Sequence, residues 1–452
     1  MRHTRHGYWL EEAGPVEAAP SLAGDVSADV AVVGGGYLGL WTAWQLAGSG
    51  ASVVIVEAEV SGYGPSGRNG GFVSSLWDQL PGLVARFGQE EALAVGRAAE
   101  DAVRSIEAWC AEQDVDAWYR AAPQLEVATT HAQDGAWTEV ARSCAAAGLD
   151  EATVLDRAAV EAVCASPVFR GGLSLRTAAT VQPARLALGL RRRLLERGVR
   201  IFEHSPARIR EGRIETAAGQ VRAGSIVLAA NTATGSFPGF RNALAVASSH
   251  IVLTEPVPDV LDELGWTGGE AIADARTLLH YFRTTPDGRI AFGWGGGRMG
   301  YGARPPRSLD RGVVEHAARQ LVRFFPQLEG RQITHAWGGP IDVSPTHLPI
   351  FGSRGRVHHG FGFTGNGVGP SFLGGRILAS LALDRRDEWT RLGLVEPAPA
   401  SFPPEPLRYV GGTAIRRALV AKDRAEDEGG RPGGITRLVA GLPHRLGLHL
   451  PR

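Results

Sequence analysis

The sequence predicts an α/β fold in which a parallel-sheet domain, assembled from separated stretches of chain, is interrupted by an inserted mixed-sheet α+β domain. Three observations predict it. Two apolar strands near the start flank a glycine-rich turn and a helix, the hydrophobic period shifts to alternation between Ala245 and Gly300, and a glycine-rich loop leading into a helix returns after Phe361.

The first element is a βαβ unit from Asp29 to Glu57. Val30-Ala31-Val32-Val33 reads as a buried strand, and Gly34-Gly35-Gly36-Tyr37-Leu38-Gly39 follows it. Gly34, Gly36 and Gly39 are in G-x-G-x-x-G spacing: the first allows the tight turn, the second lets backbone approach a pyrophosphate, and the third lets helix pack on strand. The helix then aims free N–H groups at the phosphates, with Leu38 in its first turn. Val53-Val54-Ile55-Val56 is the second strand and ends on Glu57, about 20 residues on, where a carboxylate accepts from both hydroxyls of an unphosphorylated ribose and repels a 2′-phosphate. The pattern is Rossmann-like and implies a bound dinucleotide.

With 452 residues the chain exceeds one ordinary core. Its formal charge is zero, which leaves no electrostatic footprint for nucleic acid. Of 47 basic residues only Lys422 is a lysine, so Schiff-base chemistry is nearly excluded. Cys110, Cys144 and Cys164 are odd in number and lack metal-ligand spacing, which predicts reduced thiols, a cytoplasmic protein and no metal site. The basic start, Met1 to His6, is not followed by the apolar run of a secretory signal, and the longest apolar stretch, Val30 to Ala47, is already explained as strand, turn and helix. No transmembrane span is predicted.

Downstream, Ser61 to Gly71 reads as a loop, and helix-forming sequence dominates to about Asp156, with Glu90–Gln113 and Ala132–Gly148 at helical spacing. A helix opens at Pro183 and stops at Gly198; Val199–Glu203, Arg208–Arg210, Arg213–Glu215 and Ser225–Ala230 read as strands. Ser249–Thr254, Thr277–Arg283 and Arg289–Trp294 predict an antiparallel sheet, the last two joined by the Pro286-Asp287-Gly288 turn. Helix returns at Arg311–Phe325 and again at Phe372–Leu383. Prolines at 397, 399, 403, 404 and 406 mark a linker or surface strap, and Gly434–Leu450 has amphipathic character.

Four stretches together resemble the D-amino-acid-oxidase-like FAD oxidoreductases, in the branch typified by gamma-glutamylputrescine oxidoreductase: Asp29 to Gly36, Ser66-Gly67-Arg68-Asn69-Gly70-Gly71, Tyr281-Phe282-Arg283 before Asp287-Gly288-Arg289, and Gly365-Asn366-Gly367-Val368. The resemblance spans roughly residues 8 to 385. It implies a discontinuous FAD-binding domain (27–80, 160–240 and 331–395), a substrate domain (81–159 and 241–330) and a C-terminal linker with helical tail (396–452). It also implies FAD rather than NAD, held non-covalently, because relatives that bond the flavin covalently use a late cysteine and none follows Cys164. Ser66 to Gly71 is placed along the ribityl chain and ring, Ala230 beside the pyrophosphate, and Gly365, Asn366, Gly367 and Val368 at the flavin's pyrimidine edge, where a helix dipole favours the charge of the reduced ring.

The family's chemistry is hydride transfer from the carbon beside a neutral amine to flavin N5. The resulting imine hydrolyses to a carbonyl compound, with oxygen or another acceptor reoxidising the flavin. This implies a small-molecule amine, amino-acid or aminophosphonate substrate. The pocket candidates are His250, Tyr281, Arg283, Trp294, Trp337 and His347. Tyr281 and Arg283 share a strand face, and Arg283 is expected to grip an anionic substrate group. Oxidation of a non-amine intermediate and a non-catalytic electron relay remain open as alternatives. Sarcosine-oxidase-like members place a lysine above the flavin for reaction with oxygen, where this chain has Ala291. A slow oxidase, or a dehydrogenase, is expected.

Overall fold

The computed structural model describes residues 2–3, 6–396 and 400–445, so Pro397, Pro399 and the end of the Gly434–Leu450 segment lie outside the described residues. Two large sheets organise the chain. The first is eight-stranded, and its parallel core runs Arg200–Phe202, Val53–Val56, Gly24–Val33 and Gly219–Leu228. The central strands read as near-continuous apolar runs because both faces are covered. Val357–Phe361 adds in parallel to Gly219–Leu228, and the hairpin Arg208–Arg210/Arg213–Glu215 extends the same strand's other end.

One face of this sheet is covered by the helices Tyr37–Gly48, Pro183–Glu196 and Val368–Ala382, with Gln89–Glu112 outside them. Val368–Ala382 lies against Tyr37–Gly48 because Gly374 and Gly375 leave room for Leu38 and Trp41. Gly39 does the same work one layer down: a Cβ there would overlap the Gly34 carbonyl oxygen and crowd Val32, so helix and strand meet at backbone distance.

The second sheet has nine strands. In order these are Arg2–His3, Ile333–Val343, Ala245–Thr254, Ile290–Trp294, His280–Thr284, Ala271–Asp274, Gln124–Ala128, Gly171–Leu175 and Ala152–Leu155. Its antiparallel centre is the predicted one. Its edges are not, since strands at 124–128 and 152–155 interrupt the stretch expected to be helical, and Ala132–Gly148 resolves into a short turn and the helix Thr138–Ala146. The domain division shifts accordingly. Ile333–Val343 pairs along Ala245–Thr254 and belongs to this sheet, as does Gly171–Leu175, although both fall inside segments assigned to the nucleotide domain. Both strands are continuous with that domain in sequence, and only pairing reveals which sheet takes them. A small sheet, Phe72–Ser74, Ala178–Thr180 and Arg120–Ala121, bridges the two bodies.

After the proline strap, Leu407–Asp427 forms a long helix docked on the inserted domain. Arg408 donates to the carbonyls of Arg241 and Leu244 (3.0 and 2.9 Å), Arg416 reaches Gly296 and Gly297, and Asp427 pairs with Arg276 and Arg323. Among the described residues no helix is long and apolar enough to cross a membrane and no metal-ligand cluster occurs.

Gly39→Ala tests the helix-on-strand contact. Overpacking of this kind costs typically about 1–3 kcal/mol, so the variant is expected to unfold at a lower temperature and to lose its cofactor on gel filtration. An unchanged midpoint with full cofactor retention would show that the helix can stand off the strand.

Candidate active site

The nucleotide end follows from the first βαβ turn. Gly34 takes φ +110°, and a Cβ there would overlap the Ala229 carbonyl, so only glycine turns the chain this tightly. Gly36 caps the helix with no side-chain cap of its own. Ser66 supplies one, its hydroxyl accepting from Tyr37 N at 2.8 Å. Glu57 is half-buried, its two carboxylate oxygens accepting from Gly35 N (2.6 Å) and Glu59 N (2.8 Å). Burial raises its pKa, and lone pairs remain on both oxygens for two ribose hydroxyls. The next strand is anchored by Glu203, which is fully buried, ion-paired to Arg191 at 2.8 Å and accepts from Ser61 N and Ala19 N. Sequence offers no sign of this cluster, since Ser61 and Ala19 lie 142 and 184 residues from Glu203 along the chain.

The loop Ser66–Gly71 folds on itself and is pinned from outside. The Asn69 side chain donates to the carbonyls of Pro65 and Ser66 and accepts from Gly71 N at 2.7 Å. The loop's outward carbonyls go to the inserted domain and the N-terminal segment: Arg68 O accepts from the Trp337 indole (2.8 Å), Asn69 O from the Trp9 indole (2.9 Å), and Gly71 O from Arg283 (3.3 Å). Ser66 and Asn69 therefore shape the loop with their side chains, while Gly67, Gly70 and Gly71 bring its backbone close to neighbours. The Tyr281 ring lies 2.8 Å from where a Gly70 Cβ would be.

Register sorts the remaining candidates onto two faces. Trp337, Ile251, Gly293, Tyr281, Ala273 and Glu126 form one row across six adjacent strands and share a side. Arg283 and Ala291 lie on the same side, facing Gly70–Gly71. His250, Trp294 and His280 form a row on the other side. His250, expected in the pocket, is thus turned away from it. It is fully buried, accepts from Asp310 N at 3.0 Å, and burial pushes its pKa down to about 4. Strand alternation places one residue of each neighbouring pair on each face, and the face of 250 depended on its pairing with 294 and 338.

Arg283 is on the expected face but not free. It is 1% exposed, it donates to the carbonyls of Gly71, Val181 and Thr284, and no carboxylate pairs with it. Burial lowers its pKa to about 9. These bonds, made by Nε and Nη1, tie the sheet to the loop. Trp294 lies beside His316 on the far side, where Asp274, His280 and His316 form a chain at 2.7 and 3.3 Å along a cavity of about 490 Å³ under the C-terminal helix. His347 sits in a left-handed turn with φ +59°. Sequence reasoning missed Ser249, whose hydroxyl lies 2.7 Å from the Tyr281 hydroxyl, and the carboxylates Asp78 and Glu126.

The last piece comes from the C-terminal part of the nucleotide domain. Gly365 takes φ +94°, Asn366 donates to Ser75 O at 3.3 Å, and Gly367 opens the helix Val368–Ala382 with no side-chain cap. Its free N–H end is a site for negative charge. Asp342 holds this loop by accepting from Gly362 N at 2.6 Å, its pKa raised to about 7 by burial. Ala230 opens the turn Asn231–Ser236 directly after the central strand, beside Gly34.

These parts fit an extended dinucleotide: a carboxylate at the ribose position, a glycine turn at the pyrophosphate, and a second uncapped helix start for the far end. Glu57→Ala removes two charge-assisted bonds of roughly 1.5–3 kcal/mol each, so FAD affinity is expected to fall at least 10-fold in a fluorescence titration of apoprotein. Unchanged affinity would place the ribose elsewhere.

Comparison with known proteins gives one answer. Residues 29–381 match the family model described as FAD dependent oxidoreductase. The chain is 29% identical over 400 residues to gamma-glutamylputrescine oxidoreductase of Escherichia coli K12, covering 84% of this chain and 89% of that protein. It is 30% identical over 437 residues to the probable oxidoreductase OrdL of Rhizobium meliloti, covering 92% and 95%. Its fold matches glycine oxidase from Geobacillus kaustophilus with a TM-score of 0.66 at 19% identity, over 80% of this chain and 96% of that one. The chain is therefore an enzyme of the D-amino-acid-oxidase family of FAD-dependent oxidoreductases, and FAD is the dinucleotide that its Rossmann-like domain is built to hold.

Proposed function

We propose that this enzyme oxidises the C–N bond of a primary or secondary amine or of an amino acid, giving an imine that hydrolyses to a carbonyl product. The observation that carries the reading is the sheet face over Gly70–Gly71. Ile251, Leu253, Ala291 and Trp337 make its centre apolar, with His335, paired to Leu253 and packed on Tyr8, at its edge. When bound, FAD supplies the two-electron oxidant. The chain's part is to exclude water, so that an amine enters as the free base with its lone pair available, and to hold its carbon in place. A substrate bound in that form needs no general base. The Tyr281 hydroxyl, fixed by Ser249, is the polar group on this face best placed to orient it. The names of the relatives, an oxidoreductase of gamma-glutamylputrescine and an oxidase of glycine, favour nitrogen substrates.

FAD is held non-covalently in this reading, since Cys110, Cys144 and Cys164 are all buried thiols. The acceptor follows from Ala291. It lies on the same sheet face as Tyr281, where the family resemblance expects the lysine of sarcosine-oxidase-like enzymes, and the chain's one lysine, Lys422, is in the C-terminal helix, so no lysine ammonium stands there to stabilise a forming superoxide.

Two experiments follow. Anaerobic mixing with a panel of amines and amino acids is expected to bleach the oxidised flavin band. A panel that leaves the band intact, with reduction by a partner protein instead, would favour an electron relay. In stopped flow, reoxidation of substrate-reduced enzyme in air-saturated buffer is expected to be slower than flavin reduction, with turnover rising when a dye or quinone replaces oxygen; reoxidation faster than reduction would make oxygen the competent acceptor.

A further inference from the structure

Glu126 is an enclosed carboxylate that no cation among the described residues neutralises. Glu203 has Arg191, Asp274 has His280 and Arg276, Asp342 has Gly362 N, Glu151 has Thr177, and Glu57 has two backbone donors. Among the described residues Glu126 makes no hydrogen bond and no ion pair, and it is enclosed by protein while keeping partial exposure to solvent. Its place is set by register. It lies in the row that contains Tyr281, two strands away, on the sheet face that closes the proposed substrate site. Gln124, two residues earlier on the same face, accepts from the hydroxyl of Ser74, whose carbonyl oxygen lies against Gly369 in the first turn of the helix Val368–Ala382. This strand therefore lies close to the start of that helix. Asp78, in the turn Trp77–Gln79, supplies a second carboxylate whose one side-chain partner is Gln79 at 2.7 Å.

We propose that Glu126 and Asp78 form the specificity end of the substrate site and bind an ammonium group distal to the reacting amine, so that the preferred substrate is a diamine or polyamine-type cation. The inference rests on the amine-oxidising reading and deepens it. Burial and the neighbouring charge of Asp78 raise the pKa of Glu126 to about 7, as expected of an enclosed carboxylate without a counter-ion. An alkylammonium, with a pKa of about 10.4, supplies that counter-ion at neutral pH. The reacting nitrogen cannot be the group held there, because a carboxylate contact would keep it protonated and without the lone pair that expels hydride. Two strand spacings separate Tyr281 and Glu126 along their shared row, about 9–10 Å, which suits two nitrogens joined by a methylene chain.

The test uses anaerobic holoenzyme at pH 7. Calorimetric titration compares α,ω-diamines with monoamines of equal carbon number, and flavin bleaching is followed separately. The wild type is expected to prefer the diamine by about 10-fold or more, as for one charged contact. Glu126→Gln is expected to remove that preference, Asp78→Asn to reduce it, and Glu90→Gln on the exposed helix surface to keep it. Equal binding of diamine and monoamine by the wild type, or a preference that survives both Glu126→Gln and Asp78→Asn, would overturn the proposal. Diamine binding that depends on Glu126 without bleaching would support the subsite while overturning the amine-oxidising reading. Should Glu126→Gln fail to retain FAD, Asp78→Asn alone decides.

Discussion

The joint between the two sheets depends on where the carbonyls of one short loop find their donors. Ser66 to Gly71 leaves the nucleotide domain with the oxygens of Arg68, Asn69 and Gly71 turned outward, and each is taken by a side chain from elsewhere: Trp337, Trp9 and Arg283. Buried carbonyls must be paired, so these three contacts fix the distance and tilt between the nucleotide sheet and the sheet that covers it. The indoles bring apolar bulk along with their single N–H, and that bulk packs with Tyr8, Ile251, Leu253 and Ala291 into the wall of the same space.

Using an arginine this way has a chemical consequence. A guanidinium enclosed without a carboxylate would be costly if its donors were idle, and here Nε and Nη1 donate to main-chain oxygens. Those two nitrogens are thereby held by the fold. What the face retains is an apolar centre, a tyrosine hydroxyl held by Ser249, and unneutralised carboxylates two strands away. In the function proposed above, this face runs from apolar beside the loop Ser66–Gly71 to acidic at Glu126, a gradient that favours a cation with one neutral nitrogen.

On the other side of the sheet, the alternation that gives Tyr281 to the pocket gives His280 to the interior. There Asp274, His280 and His316 meet Arg276, which Asp427 of the C-terminal helix also contacts. That helix lies beyond the residues matched by the family, yet it is bonded to the loop Gly296–Gly297 that follows a strand of the pocket. It is a structural part of the inserted domain rather than a trailing segment.

The sequence by itself determined the βαβ unit at the heart of the nucleotide domain. Gly34, Gly36, Gly39 and Glu57 act within one βαβ unit, where spacing along the chain and distance in space are nearly the same thing, and Pro183, Gly365 and Gly367 mark helix starts through local backbone chemistry. The central antiparallel strands and the shared face of Tyr281 and Arg283 were legible for the same reason, since alternation is a property of one strand. Only the tertiary structure decided which face met the cofactor loop, that His250 turned inward, that Arg283 bonded to backbone, and that Ile333–Val343 and Gly171–Leu175 joined the second sheet. The same holds for Glu126, which reads as one more polar residue in an unremarked strand until pairing through Ala273 sets it in line with Tyr281. Each of these facts is a relation between residues far apart in sequence, and such relations are fixed by register and packing, which no local pattern encodes.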